Sequence, residues 1–349
     1  MCSNDPTSKQ SGAVLILVLI VLAGLSVLSV EFNRDALHDH MLSVSSRSVL
    51  SSRALLDSGE VVASSLLCGP LSKEKFDDGK PAWEHFDMAA QYLSRELRSG
   101  ELSGSIEDEN ALFPLRSLFP VRKSDKARAE ACQRMFVRLT LQQLLRSGVA
   151  EDETHAGELA EAFLESLLQW SGVLAVDKVS QEWYLQQIPR RIPPGRPPLS
   201  VEELLLIRWP GLEEEKAHFV LAGTEGAPGL LSLLSPVSPG PMNMDTLRPE
   251  VIAALSMDVE LGKSLAMQVE EMRLIPDRIR ERNWYRELFE MHDVPAFPSG
   301  CVDKGSRWYR LTQEARIGGR ENVRISIGWV GSSAVTWEYR MLGRNNASE

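Results

Sequence analysis

The hydrophobic pattern of the chain begins with one long apolar run. The segment SGAVLILVLIVLAGLSVLSVEF, residues 11–32, has no charged side chain between Ala13 and Val30. A helix over that stretch is about 27 Å long at 1.5 Å per residue, close to the roughly 30 Å hydrocarbon core of a bilayer. The run therefore predicts a helix that can span a membrane.

The helical pattern continues beyond the apolar run. No proline interrupts it until Gly69 and Pro70, which supply a stop signal. Apolar residues recur at roughly helical spacing, at Leu37, Met41, Val44, Leu55, Val62 and Leu66. We predict one helix of about 55 residues, apolar on all sides in its first third and amphipathic in the remainder. This is typical of a rod whose upper part packs on a globular domain.

Short amphipathic helices are predicted in the middle of the chain. Residues 128–172 read as two or three helices, with a break at Gly148 and a cap around Asp152 to Thr154. The proline-rich stretch QQIPRRIPPGRPPLS then favours extended chain. Ser200, with Glu203 three residues later, predicts a capping box at the start of the next helix.

The C-terminal part combines a predicted helical hairpin with strands. The segment ALSMDVELGKSL, residues 254–265, has the look of a helix-hairpin-helix, a unit that grips nucleic-acid phosphates in other proteins. It is acidic, however, and lacks the basic rim that phosphate contact requires. Further on, apolar residues alternate with period two, with turns at Gly318–Gly319 and Gly331–Ser333. This pattern predicts three antiparallel strands.

Composition and charge narrow the class of function. The chain has 349 residues, 43% apolar content and a formal net charge of -10. Phosphate binding requires clustered Lys and Arg, so a nucleic-acid partner is not expected. The six histidines form no HExxH motif, and no serine elbow or Cys-His pair is present. His38 and His40 point about 200° apart on a helix, which disfavours a shared metal ion. We therefore expect no enzyme.

The cysteines give no sign of a zinc site. Cys2, Cys68, Cys132 and Cys301 are far apart and show no CxxC pairing. One disulfide bond between two of these cysteines remains possible. We expect Cys68 to be a buried helix residue and any bridge to join Cys132 and Cys301.

Three interpretations of the apolar run remain: a cleaved secretory signal, a plain membrane anchor, or a helix that is retained after a short leader is removed. A secretory signal has an apolar region of about 7 to 15 residues and a small-x-small cleavage site, which LSVLSVEFNRD does not offer cleanly. Gly12 ends the polar leader MCSNDPTSKQSG, and a cut there keeps the hydrophobic helix.

The leader and the run together resemble the type IV pilin-like proteins, in which a prepilin peptidase cuts after a glycine and leaves the hydrophobic helix as the mature N-terminus. Gly12 and Ala13 fit that cut. Most such proteins carry a glutamate as the fifth mature residue, whereas this chain has Leu17 there. The K-type minor pseudopilins of type II secretion systems, the GspK family, characteristically lack that glutamate and are the largest pseudopilins.

Further motifs resemble the same family in their order and spacing. In this family a tryptophan precedes an Ile-acid-acid strand segment with a following asparagine, and an Asn-x-Asn-Thr-Ala segment comes later. The matching residues are Trp83, Ile106, Glu107, Asp108, Glu109, Asn110, Asn243, Asp245 and Thr246. Leu247 replaces the alanine.

The inserted helices of that family end beside bound calcium. The matching residues are Trp170, Glu182 and Tyr184. Residues without a carboxylate stand where acids are expected, at Gln169, Ser171 and Val173. Because calcium takes six to eight oxygen ligands, Asp177 and Glu182 are weak candidates, and no cofactor is expected. The alternative is that Trp170, Trp183 and Tyr184 simply pack the helical unit.

The resemblance implies an α+β fold, in which a long N-terminal pilin-like helix packs on a small antiparallel sheet and a large helical domain is inserted. The implied parts are a prepilin leader (1–12), a transmembrane or filament helix (13–31), an amphipathic helix (32–68), pilin-like α/β parts (69–120 and 242–349) and an inserted helical domain (121–241).

The resemblance also implies a minor pseudopilin that caps or initiates the periplasmic pseudopilus at its tip to drive protein export. The implied partners are smaller minor pseudopilins of the I and J types, prepilin peptidase, which also methylates the new amine, and the inner membrane. The implied location is a single pass through the inner membrane, with the globular part in the periplasm. The alternative is a membrane-anchored periplasmic binding module unrelated to secretion.

Overall fold

A computed structural model describes residues 7–69, 81–98, 100–224, 227–275, 283–295, 300–332 and 334–343. For residues 7–17 and for residue 227 only the backbone is described.

The first element is one long helix, α1, which spans Thr7–Cys68. It ends where the sequence predicted, and the Gly69 N–H donates to the carbonyl of Ser65 at 2.8 Å. Leu55, Leu56 and Ala63 are buried on one side of its last part. The predicted rod with an amphipathic upper part is therefore confirmed.

A four-stranded antiparallel sheet backs this part of α1. Its strands are β1 (Glu101–Asp108), β8 (Trp308–Ile317), β9 (Arg320–Val330) and β10 (Val335–Gly343), in the order β1-β8-β9-β10. The three C-terminal strands and the turn at Gly318–Gly319 confirm the prediction made from the alternating pattern, whereas Ser333 of the second predicted turn lies outside the described residues. Leu311 and Ala315 of β8 pack against α1, and a Cβ on Gly59 would clash with the side chain of Gln313. Gly59 therefore lets the helix approach the sheet closely.

Residues 82–97 are helical and precede β1, so Trp83 lies in a helical segment before the Ile-acid-acid strand. A 3-10 turn, Ala82–His85, leads into α2, Phe86–Leu97. Phe86 and Ala90 are buried in the same cluster as α1. The Ser94 hydroxyl accepts a hydrogen bond from the Leu102 N–H at 2.7 Å, which ties α2 to β1.

The helical body follows β1 in the chain. Its helices are α3 (Lys126–Arg146), α4 (Glu153–Trp170), α5 (Lys178–Gln186), α6 (Glu214–Ala222), α7 (Pro249–Ala253), α8 (Val259–Arg273) and α9 (Arg286–Met291). Aromatic rings stack through its core from Phe136 to Phe163 at 6.2 Å and from Phe163 to Trp209 at 4.1 Å between centroids. These rings bury large apolar area at well-defined geometry, which fixes α3 against α4.

Short strands and turns connect the body. Parallel pairs join β2 (Phe113–Pro114) to β5 (Leu234–Ser235) and β6 (Met242–Asn243) to β7 (Val302–Asp303), and β3 (Gly223–Thr224) pairs antiparallel with β4 (Ala227–Pro228). Further 3-10 turns are Glu109–Ala111, Leu115–Leu118, Lys123–Asp125, Val201–Leu206 and Leu230–Leu233.

The core of the helical body continues past residue 241, where the sequence placed the end of the inserted domain. Met244, Leu255, Leu265 and Cys301 belong to the same hydrophobic cluster as Phe136. The helical hairpin of α7 and α8 thus packs with the inserted helices.

One predicted cap is confirmed and one is wrong. Asp152 accepts a hydrogen bond from the His155 N–H at 2.8 Å and starts α4. The capping box of Ser200 does not form among the described residues, because the Glu203 carboxylate accepts from the Leu199 N–H at 3.1 Å and pairs with Arg196. The arginine, seven residues earlier, competes for the acid that the box requires.

A buried ion-pair network fixes α1 to the sheet. The Glu60 carboxylate accepts from Arg340 Nε at 2.9 Å and Nη2 at 2.7 Å, and from the Ser326 hydroxyl at 2.8 Å. Arg324 lies 3.5 Å from Glu60 and 2.6 Å from Asp57. The side chains of Arg324 and Glu60 are 6% and 8% exposed, whereas that of Asp57 is 67% exposed. Glu60, the buried acid, should therefore contribute more than the exposed Asp57 to holding α1 on the sheet.

We predict that Glu60→Ala lowers the free energy of unfolding by about 3 kcal/mol, because it leaves the buried Ser326 hydroxyl without its acceptor, removes both bonds of Arg340 and takes from the buried Arg324 its buried acid partner. The matched control, Asp57→Ala, should cost less than about 1 kcal/mol because Asp57 is exposed. Urea unfolding of the fragment that begins at Asn33, followed by circular dichroism, measures both. Equal losses in the two variants would contradict this account.

Candidate functional site

The apolar stripe of α1 is only partly covered. Its upper residues, Leu55, Val62 and Leu66, pack in the cluster between α1 and the sheet. Its lower residues, Leu37, Met41 and Val44, are 61%, 69% and 55% exposed. The same side of one helix is therefore core above and open surface below, within the described part of the chain.

The N-terminal part of α1 presents a broader apolar surface. Its large apolar side chains from Val18 to Phe32 are exposed. Across the residues that the structure describes, no helix combines the length and the apolar character needed to cross a membrane. Gly12, Ala13 and Leu17, the predicted cleavage site and fifth mature position, lie outside the residues whose side chains are described. The cleavage and the Leu17 assignment stay predictions.

Asp177 and Glu182, the weak calcium candidates, are not surrounded by further metal ligands among the described residues. Asp177 caps α5, and its carboxylate accepts from the Ser180 hydroxyl at 2.7 Å and from the Ser180 N–H at 2.8 Å. These bonds lower the pKa of Asp177. Glu182 lies exposed on the same helix. Among the described residues, no group of three or more His, Cys, Asp or Glu side chains could hold a metal ion.

The aromatic residues nearby pack the helical body. Trp170 and Tyr184 are buried, with ring centroids 5.6 Å apart, and Trp183 meets Tyr184 edge to face at 5.1 Å. The Tyr184 hydroxyl accepts from the Arg208 N–H at 3.3 Å. In the structure these three rings therefore pack the helical body, as the alternative to a calcium site predicts.

An arginine of α3 binds the backbone of the hairpin between α7 and α8. Arg138 of α3 donates to the carbonyls of Ala254 at 2.8 Å and Leu255 at 3.3 Å. Burial, with Arg134 nearby, lowers the pKa of Arg138 to about 10. The cation thus attaches the hairpin to α3 by binding the carbonyls at the end of α7.

A polar cluster built around the buried side chains of Asp108, Glu109, Asn110 and Asn243 lies where the sheet meets the helical body. We refer to it as the polar junction, and it consists of Asp108, Glu109, Asn110, Asn243, Thr246 and Ser306. The end of β1 and the 3-10 turn after it supply the first three residues, the end of β6 and the turn after it supply the next two, and the segment before β8 supplies the last. Three distant parts of the chain therefore share one set of hydrogen bonds.

Asn110 uses both ends of its amide in the polar junction. Its Nδ2 donates to the carbonyl of Pro241 at 2.7 Å and to the Ser238 hydroxyl at 3.2 Å. Its Oδ1 accepts from the N–H groups of Arg307 at 3.0 Å and Trp308 at 2.9 Å. A single side chain thus links β1 to the helical body and to β8.

Asn243 makes a comparable set of bonds from the other side. Its Nδ2 donates to Asp108 at 3.1 Å and to the Ser306 hydroxyl at 2.7 Å. Its Oδ1 accepts from the N–H groups of Asp245 at 3.0 Å and Gly305 at 2.8 Å. The amide therefore holds its own turn and the segment before β8 together.

Two acids complete the polar junction. Asp108 accepts from Asn243, from the hydroxyls of Thr246 and Ser306, and from the Asn110 N–H. Burial nevertheless raises the pKa of Asp108, because these bonds do not replace its lost hydration fully. Glu109 accepts from the Ser235 hydroxyl at 2.9 Å and pairs with Arg310 at 3.0 Å.

The sequence analysis singled out most residues of the polar junction, but it did not predict that they hydrogen-bond to one another. Asp108, Glu109, Asn110, Asn243 and Thr246 were found as matches to family motifs. Sequence reasoning missed Ser306, Ser235 and Arg310, which carry no local signal because their partners lie far away in the chain.

Comparison with known proteins rests on the fold. The architecture defines the class: a long helix on an antiparallel sheet, as in pilins, with a helical insertion. No family model matches the chain, and no curated protein matches its sequence. Its structure is similar to a chain in the crystal structure of the GspK-GspI-GspJ complex from the enterotoxigenic Escherichia coli Type 2 Secretion System, with a TM-score of 0.54 and 15% identity. The match covers 87% of this chain and 99% of that chain. A similarity at this identity shows the fold.

We predict that Asn243→Asp destabilises the protein by about 3 kcal/mol at neutral pH, since it adds a second buried carboxylate beside Asp108. Burial and repulsion raise the pKa of such a pair in the folded state, so stability is retained at low pH and lost as the pH rises. The control, Asn283→Asp, makes the same change at an exposed position. Urea unfolding at several pH values measures both, and a pH-independent loss in Asn243→Asp would contradict the role of the polar junction.

Proposed function

We propose that this chain is a K-type minor pseudopilin of a type II secretion system, placed at the tip of a periplasmic pseudopilus. The observation that carries the proposal is the half-covered α1: Leu55 and Leu66 are buried by the sheet, whereas Leu37, Met41 and Val44 are exposed on the same side. An apolar stripe of this kind fits other helices in a bundle. The pilin-like fold with its helical body supports the same assignment.

We propose smaller pseudopilins of the I and J types as the partners of the stripe. The similar chain comes from a complex with GspI and GspJ, and this supports the choice of partner. Burial of three apolar side chains supplies about 1.5 to 3 kcal/mol each, enough to make the stripe a main contribution to association.

The tip position is supported by Leu17. In pilin-like filaments the fifth-residue glutamate is thought to neutralise the terminal amine of the subunit above. A subunit at the tip has none above it, and a lone acid in a bilayer costs about 2.5 to 3.5 kcal/mol on insertion scales. Ala13 still offers its amine to the subunit below. The bulk of the helical body would also clash with a subunit stacked above it.

The first prediction concerns the stripe. Co-expressed periplasmic domains, with this chain starting at Asn33, should form a complex with I- and J-type pseudopilins at micromolar concentration. Val44→Glu should weaken it at least tenfold, about 1.4 kcal/mol, by placing a charge in the stripe. Size-exclusion chromatography with light scattering measures this.

The matched control is Val61→Glu, the same change at a residue that is 70% exposed but lies about 120° away around the helix. It should leave the complex intact. A wild-type chain that stays monomeric with both partners would instead favour the membrane-anchored binding module.

The second prediction concerns the leader. Prepilin peptidase should remove residues 1–12, so that the membrane-extracted protein begins at Ala13, with or without a methyl group on its amine. Intact-mass analysis measures this, and Gly12→Val should retain the leader. A mature start beyond Val30 would indicate a secretory signal, and a retained Met1 in the wild type would indicate a simple anchor.

The third prediction concerns position in the fibre. Antibody or gold label on this chain should appear at one end of overproduced pseudopili, whereas label on the major pseudopilin should follow the whole shaft. An even distribution of this chain along the shaft would rule out the tip.

A further inference from the structure

We infer that Cys132 and Cys301 form a disulfide that clamps the segment carrying β7 to α3 of the helical body. Both side chains are buried at 1% exposure in the same core cluster. In the structure both are free thiols, and each one shifts the pKa of the other. The periplasmic oxidation described below rests on the proposed function, but the pairing itself rests on this geometry.

The surroundings of the pair bring the two cysteines together independently of the thiols. Arg128 lies one helical turn before Cys132 on α3 and donates to the carbonyl of Pro239 at 2.5 Å. A Cβ on Gly300 would lie 3.9 Å from Arg128 Nη1, so the residue before Cys301 sits beside the same arginine. The Ser117 hydroxyl donates to the same Pro239 carbonyl at 3.1 Å. Four segments of the chain thus meet around Arg128, beside the two cysteines.

In the folded protein the two thiols influence each other. Cys132, together with the positive charge of Arg128, lowers the pKa of Cys301, and Cys301 and burial raise the pKa of Cys132. This mutual effect agrees with the closeness of the two side chains.

The oxidant is a protein or small molecule that carries a disulfide. The thiolate of one cysteine attacks one sulfur of that disulfide, forms a mixed disulfide and releases the other sulfur as a thiolate. The second cysteine loses its proton and attacks the sulfur of the first cysteine, which expels the remaining thiolate of the oxidant. The two cysteines lose two electrons and two protons, and the oxidant becomes a dithiol. The burial of both side chains places this reaction during folding, before the core closes.

The clamp acts on the polar junction through two short strands. The Met242 N–H donates to the carbonyl of Cys301 at 2.9 Å, and the Met244 N–H donates to the carbonyl of Asp303 at 3.0 Å. Asn243 lies between these two residues. A bond between Cys132 and Cys301 therefore holds the β6–β7 pair and, through it, the amide that joins the sheet to the helical body.

Cys68 provides an internal control. It is half-buried at the end of α1 and belongs to the cluster under the sheet, where burial raises its pKa. Neither of the other two described cysteines lies in that cluster.

The test uses the full chain, exported to the periplasm, extracted in detergent and denatured in iodoacetamide. Peptide mapping should find a linked Cys132–Cys301 pair and a fully alkylated Cys68. Reduction should release both linked cysteines. Peptide mapping reports the pair regardless of whether Cys2 has left with the leader.

A second measurement does not depend on the compartment. The reduced chain, unfolded in urea and refolded with oxidised glutathione, should form the same linked pair in wild type and in Cys68→Ser. Hydrogen exchange at the amides of Met242 and Met244 should be at least tenfold faster in Cys132→Ser and in Cys301→Ser than in the oxidised protein.

The outcomes separate this inference from the proposed function. A pair that forms on refolding but not in cells supports the disulfide and contradicts the proposed periplasmic location. A pair that forms in neither case, or a disulfide that includes Cys68, overturns the inference.

Discussion

The relative placement of the sheet and the helical body depends on buried hydrogen bonds at the polar junction. A buried amide or carboxylate without partners costs free energy, so the fold must bring every partner into place at once. Asn110 meets the segments at Pro241 and Trp308, and Asn243 meets the segment at Gly305. Apolar packing tolerates some sliding, but these directional bonds are satisfied in one arrangement only. The polar junction therefore determines how two separate cores become one molecule.

The second constraint acts on α1. One amphipathic stripe packs on the sheet in its upper part and is exposed in its lower part. Above, Glu60 and Arg340 hold the helix on the sheet, and Gly59 lets it approach closely. Below, the same stripe has no cover within the described chain. A rod fixed rigidly at its upper end can present its lower stripe in a constant orientation. The proposed function relies on this constant orientation, because it brings the stripe to partner helices.

The local elements could be predicted because their causes are local. The apolar run and the stop at Gly69 predicted α1, alternation predicted β8 to β10, and the Asp152 cap predicted the start of α4. The wrong capping box has a physical reason. Glu203 pairs with Arg196 and accepts from the Leu199 N–H, so its carboxylate is not available to the Ser200 backbone. A nearby charge therefore overrode the capping signal.

The sequence by itself determined the long helix and the C-terminal strands, because spacing and residue type encode them along the chain, and its resemblance to the K-type pseudopilins implied the α+β class, the helical insertion and the motif residues. Only the tertiary structure decided which contacts those motif residues make. It alone joined β1 to β8, brought Ser306 to Asp108 and left the lower stripe of α1 exposed. These contacts connect residues that are far apart in the chain, and no periodicity within one segment specifies which distant segment will supply a partner.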